Sequence, residues 1–95
     1  MPETVPARQF RQVSEASHPM AADIALRAKL IRTDIGMDSA SAMSKLLGMS
    51  PNAWKAIEDG RNLPSSETLL KLVNRGYDAT WLLAGRGSMR LDVAD

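Results

Sequence analysis

Between Ser39 and Pro64 the chain reads SASAMSKLLGMSPNAWKAIEDGRNLP, and inside it two short helical patterns meet at Gly48 with only a tight turn between them. The first sets Met43, Ser44 and Leu47 on one face and the second sets Trp54 and Ile57 on one face, so two helices can cross over a shared apolar contact. Gly48 suits the bend, because the residue after a helix end often needs a left-handed backbone that glycine adopts at no steric cost. Ser50 can then offer its side-chain oxygen to the exposed N–H groups of the next helix, and Pro51 fits the first helical position, where a missing N–H does no harm. The spacing thus predicts a new helix from Pro51, and the whole stretch follows the pattern of a helix-turn-helix.

Length and composition bound what can surround that pattern. The 95 residues make one small domain, large enough to fold alone when helices pack well. With no cysteine, disulfides, thiolate zinc sites and cysteine nucleophiles are excluded, and the chain suits a reducing cytoplasm. No apolar run approaches the ~20 residues of a membrane-spanning helix, and MPETVPARQF lacks the apolar core of a secretory signal, so a cytoplasmic protein is expected. A net charge of +1 does not announce a polyanionic partner, so any affinity for nucleic acid must come from a local patch.

The rest of the chain reads as an arm, helices and a short tail. Residues 1–18 carry Pro2, Pro6, Ser14 and Ser17 with only Val5, Phe10 and Val13 as sizeable apolar groups, the composition of a flexible N-terminal arm; Arg8 and Arg11 are its only cations. From Pro19, Met20, Ile24, Ile31 and Ile35 recur at helical spacing, with Leu26 and Leu30 expected to widen the stripe, and Gly36 follows. Asp38 or Ser39 caps a second helix to about Leu47. A third runs from Pro51 to Asp59, a fourth is capped by Ser65 with Leu69, Leu72 and Val73 inward, and a fifth, capped by Asp78, carries Trp81, Leu82 and Leu83 before Gly85. The expected architecture is all-α with five helices, a domain over residues 19–87 and a tail over 88–95.

GMSPNAWKAIEDGRNLPSSETLLKL and GYDATWLLAGRG together resemble the Cro and lambda-repressor-like helix-turn-helix regulators, in the turn, recognition helix, Ile-Glu-x-Gly exit, Pro-Ser-x-Glu-Thr-Leu start and Trp-Leu-Leu-x-Gly-x-Gly ending. The resemblance covers about Pro19 to Gly87. It implies a compact five-helix lambda-repressor-like domain that binds a double-stranded DNA operator as a homodimer, a phage-type repressor acting by occupancy with no cofactor and no metal. Lambda-type repressors often carry a second domain after the Trp-Leu-Leu motif, and here only SMRLDVAD follows.

That resemblance assigns roles to particular residues. Helix two of the family usually opens with a phosphate-bracing glutamine, where this chain has Ser39 or Ala40. On helix three Asn52, Ala53, Lys55 and Ala56 are expected to face outward: Asn52 could pair with an adenine edge, Lys55 could reach guanine or phosphate, and Ala53 or Ala56 could pack on a thymine methyl. Ser50 would cap the helix close to a phosphate, and Arg61 and Asn62 would run beside the sugar-phosphate backbone. Trp54 is expected in the core, and Glu58 and Asp59, which DNA repels, are given structural roles. In Trp81-Leu82-Leu83 successive residues turn by about 100°, so one large side chain must project; Leu82 or Leu83 is expected outside, as seed for a two-fold contact, with Trp81 anchored within.

Enzyme chemistry fits poorly, since no nucleophile with its base, no carboxylate pair in a pocket and no phosphate-cradling loop is grouped in the sequence. The rival reading is a helix-turn-helix that binds protein, such as an antitoxin, an antirepressor or a regulator subunit, with weak DNA contact.

Overall fold

The computed structural model describes residues 20–91, which form five helices: α1 Ala21–Ile35, α2 Ala40–Leu46, α3 Ala53–Glu58, α4 Ser66–Asn74 and α5 Ala79–Ala84. The expected N-terminal arm over residues 1–18, with Arg8, Phe10, Arg11 and Val13, lies outside the described residues. The described part is all-α, its one β-type contact an isolated bridge between Tyr77 and Arg90. None of its helices is long and apolar enough to cross a membrane.

The core is built around Trp54, which is fully buried among Ile24, Ala28, Ile31, Met43, Ile57 and Leu72. Burying each such side chain stabilises the fold by roughly 1.5–3 kcal/mol, which makes this cluster the main support of helices too short to persist alone. α1 presents Ile24, Ala28 and Ile31 to it, and its alanines let α3 and α5 approach closely. Leu26 and Leu30 do not join the stripe: they are 62% and 48% exposed. At about 100° per residue they stand roughly 160–200° around the helix from Ala28, and Leu26 borders an open groove with Glu58, Asp59 and Gly60.

Three of the five helices start at a local side-chain cap. The Ser39 hydroxyl accepts from Ala42 N at 3.1 Å, Ser65 from Thr68 N at 3.2 Å, and the Asp78 carboxylate from Thr80 N at 2.8 Å, as capping residues do. At the other end of α5, Arg27 of α1 donates from Nε to the Leu82 carbonyl at 2.9 Å, a cation placed on the negative end of a helix. Gly85 follows with φ 75°, and a Cβ there would stand 3.1 Å from that guanidinium, so both backbone and space favour glycine. Within α5 it is Leu82 that is buried and Leu83 that is 39% exposed, while Trp81 is half-buried against the core.

Part of the segment after Gly87, expected as a tail, returns to the body. Asp78 N donates to the Met89 carbonyl at 2.9 Å and Leu91 N to the Gly76 carbonyl at 2.8 Å. Asp34, at the end of α1, accepts from the Tyr77 hydroxyl and from Arg90, each at 2.6 Å, while the Arg90 guanidinium lies 5.3 Å from the Tyr77 ring centre. The Tyr77 bond, with Arg90 second, holds the Asp34 carboxyl below its usual range, and burial together with that same carboxylate pushes the Tyr77 phenol up.

Candidate nucleic-acid interface

α2 and α3 meet across the turn from Leu47 to Asn52, with Gly48 at φ 69° providing the left-handed residue at the end of α2. A larger residue there would be strained whatever space surrounds it. Leu47 and Met43 lie against Trp54 and Ile57, the crossing expected from the apolar spacing.

The start of α3 differs from expectation, and the difference is chemical. The helix begins at Ala53 and not at Pro51; Pro51 and Asn52 form a turn closed by Ala53 N donating to the Ser50 carbonyl at 3.0 Å. The cap is supplied by Ser44, whose fully buried hydroxyl accepts from Trp54 N at 2.9 Å. Ser50 therefore contributes its backbone carbonyl, and its exposed side chain caps nothing. An acceptor lodged in the core outcompetes a surface serine because the Trp54 amide, itself buried, has no access to water.

Four of the expected outward residues separate into two kinds. Asn52 and Lys55 are exposed, one helical turn apart, and Asp59 continues the same face. Ala56, expected to face outward with them, is only 6% exposed, because Arg61 N and Asn62 N both donate to its carbonyl and draw the following loop over it. Ala53 is half-buried and lines a notch of about 170 Å³ with Met49, Asn62, Leu63 and Thr68. Ser39, Ser50, Arg61 and Asn62 are all exposed, Ser39 at the start of α2 and the last two just beyond α3.

The two acids ending α3 have opposite surroundings. Glu58 accepts from two of the three Arg32 nitrogens, Nε at 2.6 Å and Nη2 at 3.1 Å, and also from the Trp54 indole N–H, so one carboxylate fastens α1 to α3 and satisfies the core tryptophan. Arg32, in turn, is held above its ordinary value chiefly by that bond and donates to the Met37 carbonyl at 3.1 Å. Asp59 points to solvent, where its Oδ2 accepts from Lys55 Nζ at 2.9 Å and from Arg61 Nη2 at 3.3 Å. The Lys55 bond, more than that from Arg61, keeps its carboxyl below the usual range. The Lys55–Asp59 and Trp54–Glu58 pairs have the i, i+4 spacing that a sequence shows; the Ser44 cap and the Arg32–Glu58 pair join residues 10 and 26 apart across elements, for which no local signal exists.

Comparison with protein-family models, with curated proteins and with solved structures returned no match.

Proposed function

We propose that the chain is a cytoplasmic, sequence-specific double-stranded DNA-binding regulator of the phage-repressor type, acting as a homodimer by occupying its operator. The observation that carries this reading is the two-sidedness of α3. Trp54 and Ile57 lock its inner face into the core and Ser44 holds its first turn to α2, while Asn52 and Lys55 stand exposed on the other side. A short helix gripped from behind, with its polar edge exposed to solvent, is suited to entering a major groove as a rigid unit.

In that pose Asn52 has the donor and acceptor that match an adenine edge, and Lys55 reaches guanine or phosphate. Ser39 at the start of α2 and Ser50 in the turn before Asn52 then contact phosphate, and Arg61 and Asn62 follow the backbone of the duplex. Repression needs occupancy alone, with no cofactor. Leu83, exposed at the edge of α5, is a candidate for the two-fold contact that would set two recognition helices about 34–36 Å apart on inverted half-sites.

One observation favours the protein-binding alternative. Lys55 and Arg61, the two cations of this face, both engage Asp59, which lowers its net charge. Selecting bound sequences from a random duplex pool separates the readings: a DNA regulator enriches inverted half-sites, and Asn52→Ala then loses ~1–3 kcal/mol at one base position. A pool that emerges unenriched, with no salt-dependent binding of any duplex, would sink the DNA reading in favour of the protein module.

A further inference from the structure

The outward face of α3 carries a carboxylate where a polyanion would sit. Lys55, Asp59 and Arg61 are side by side, with side-chain exposures of 60%, 38% and 60%, and both cations converge on the same Asp59 oxygen. Their combined charge is +1 in place of the +2 that Lys55 and Arg61 would present alone. Unlike Glu58, which binds Arg32 and the Trp54 indole, Asp59 makes no side-chain bond to the core among the described residues. At the carboxyl end of a helix a negative charge is also opposed by the helix dipole. Asp59 is thus held by two exposed cations and not by packing.

We propose that Asp59 is an affinity brake on this face: it occupies Lys55 and Arg61 in the unbound protein and repels the phosphate backbone, setting how strongly α3 grips any duplex. The inference rests on the DNA-binding reading and deepens it. Two exposed ion pairs are each weak, so rearranging them costs little, and the larger effect is the fixed negative charge beside the phosphates. Neutralising it is equivalent to gaining one phosphate contact. At ~0.9 in the slope of log affinity against log salt, that gain amounts to a factor of roughly 8 at 0.1 M salt relative to 1 M. Backbone repulsion does not depend on base identity, so the effect falls alike on every sequence.

The test is titration of a labelled random-sequence duplex with the full chain, its Asp59→Asn variant and its Asp59→Glu variant, between about 50 and 200 mM salt. Asp59→Asn is expected to bind about 5–10-fold more tightly at 0.1 M salt with a slope steeper by about 1, and Asp59→Glu, which keeps the charge, to follow the parent chain. Binding by Asp59→Asn where the parent chain shows none also supports the brake. Equal affinity and slope for the parent chain and Asp59→Asn, with both binding, overturn the brake and leave the DNA reading standing. No salt-dependent binding by any of the three overturns both.

Discussion

Glu58 and Asp59 are adjacent carboxylates at the end of one six-residue helix, yet they belong to different regions of the molecule. Glu58 faces the core, where Arg32 and the Trp54 indole close around it; Asp59 faces water, between Lys55 and Arg61. Their side-chain exposures are 7% and 38%. The same functional group is therefore a fastener on one side of the helix and a modulator of surface charge on the other. What separates them is solvent: a buried ion loses its hydration and must be replaced by fixed partners, whereas an exposed one keeps water whichever neighbours it has.

The most severe way to probe that contrast is to remove each carboxylate in turn. Glu58→Ala leaves the Arg32 guanidinium and the Trp54 N–H without their partner and is expected to cost about 2–4 kcal/mol in chemical denaturation. Asp59→Asn, which removes two weak exposed pairs, should stay within about 0.5 kcal/mol of the parent chain. Equal losses from the two substitutions would erase the distinction between the regions.

Ser44→Ala asks whether the inner face of α3 depends on its other polar anchor. It strips the Trp54 amide of its acceptor while keeping the volume nearly intact, and a loss of about 1–2 kcal/mol is expected. Ser50→Ala, at the residue expected from sequence to cap this helix, should be within ±0.5 kcal/mol of the parent chain. A larger loss at Ser50 than at Ser44 would reverse the assignment of the cap.

Asp34 is the intermediate case, an acid at the surface that holds a largely buried phenol, and pH is the gentlest probe of it. Its carboxyl is lowered in the folded chain, so its contribution is present above the unfolded value near 4 and is lost as pH falls through the folded value. Tyr77 is raised, so its contribution is present below about 10 and is lost as pH rises from there through the folded value. Tyr77→Phe removes the chief cause of the Asp34 shift. Melting curves across pH should therefore show a smaller acid loss for the variant and no tyrosine-linked loss in base; parallel curves for the two proteins would mean that Arg90 alone sustains Asp34.

Much of the architecture was legible in residue order. Ser65 and Asp78 cap the helices they were expected to cap, Ser39 is the one of the Asp38 and Ser39 alternatives that caps α2, Gly48 makes the turn, and the spacing of Met43, Leu47, Trp54 and Ile57 anticipated a crossing of α2 and α3. These rest on contacts within three or four residues, where helical geometry translates spacing directly into direction. The same geometry, applied strictly, places Leu26 and Leu30 away from Ala28, so their exposure was available in the sequence too.

Other features were decided only when the chain closed on itself. Ala56 is buried because the loop carrying Arg61 and Asn62 turns back onto its carbonyl, although its angular position lies near that of Asn52. Ser44 took the capping role from Ser50 because α2 brings its hydroxyl to a buried amide 10 residues along the chain. Asp34, Tyr77 and Arg90 met across separations of 43 and 56 residues. Short-range patterning determined which helices form and where most of them begin. Which polar groups from different helices satisfy one another was settled by packing, because a buried donor pairs with whichever acceptor the folded chain delivers within hydrogen-bond distance.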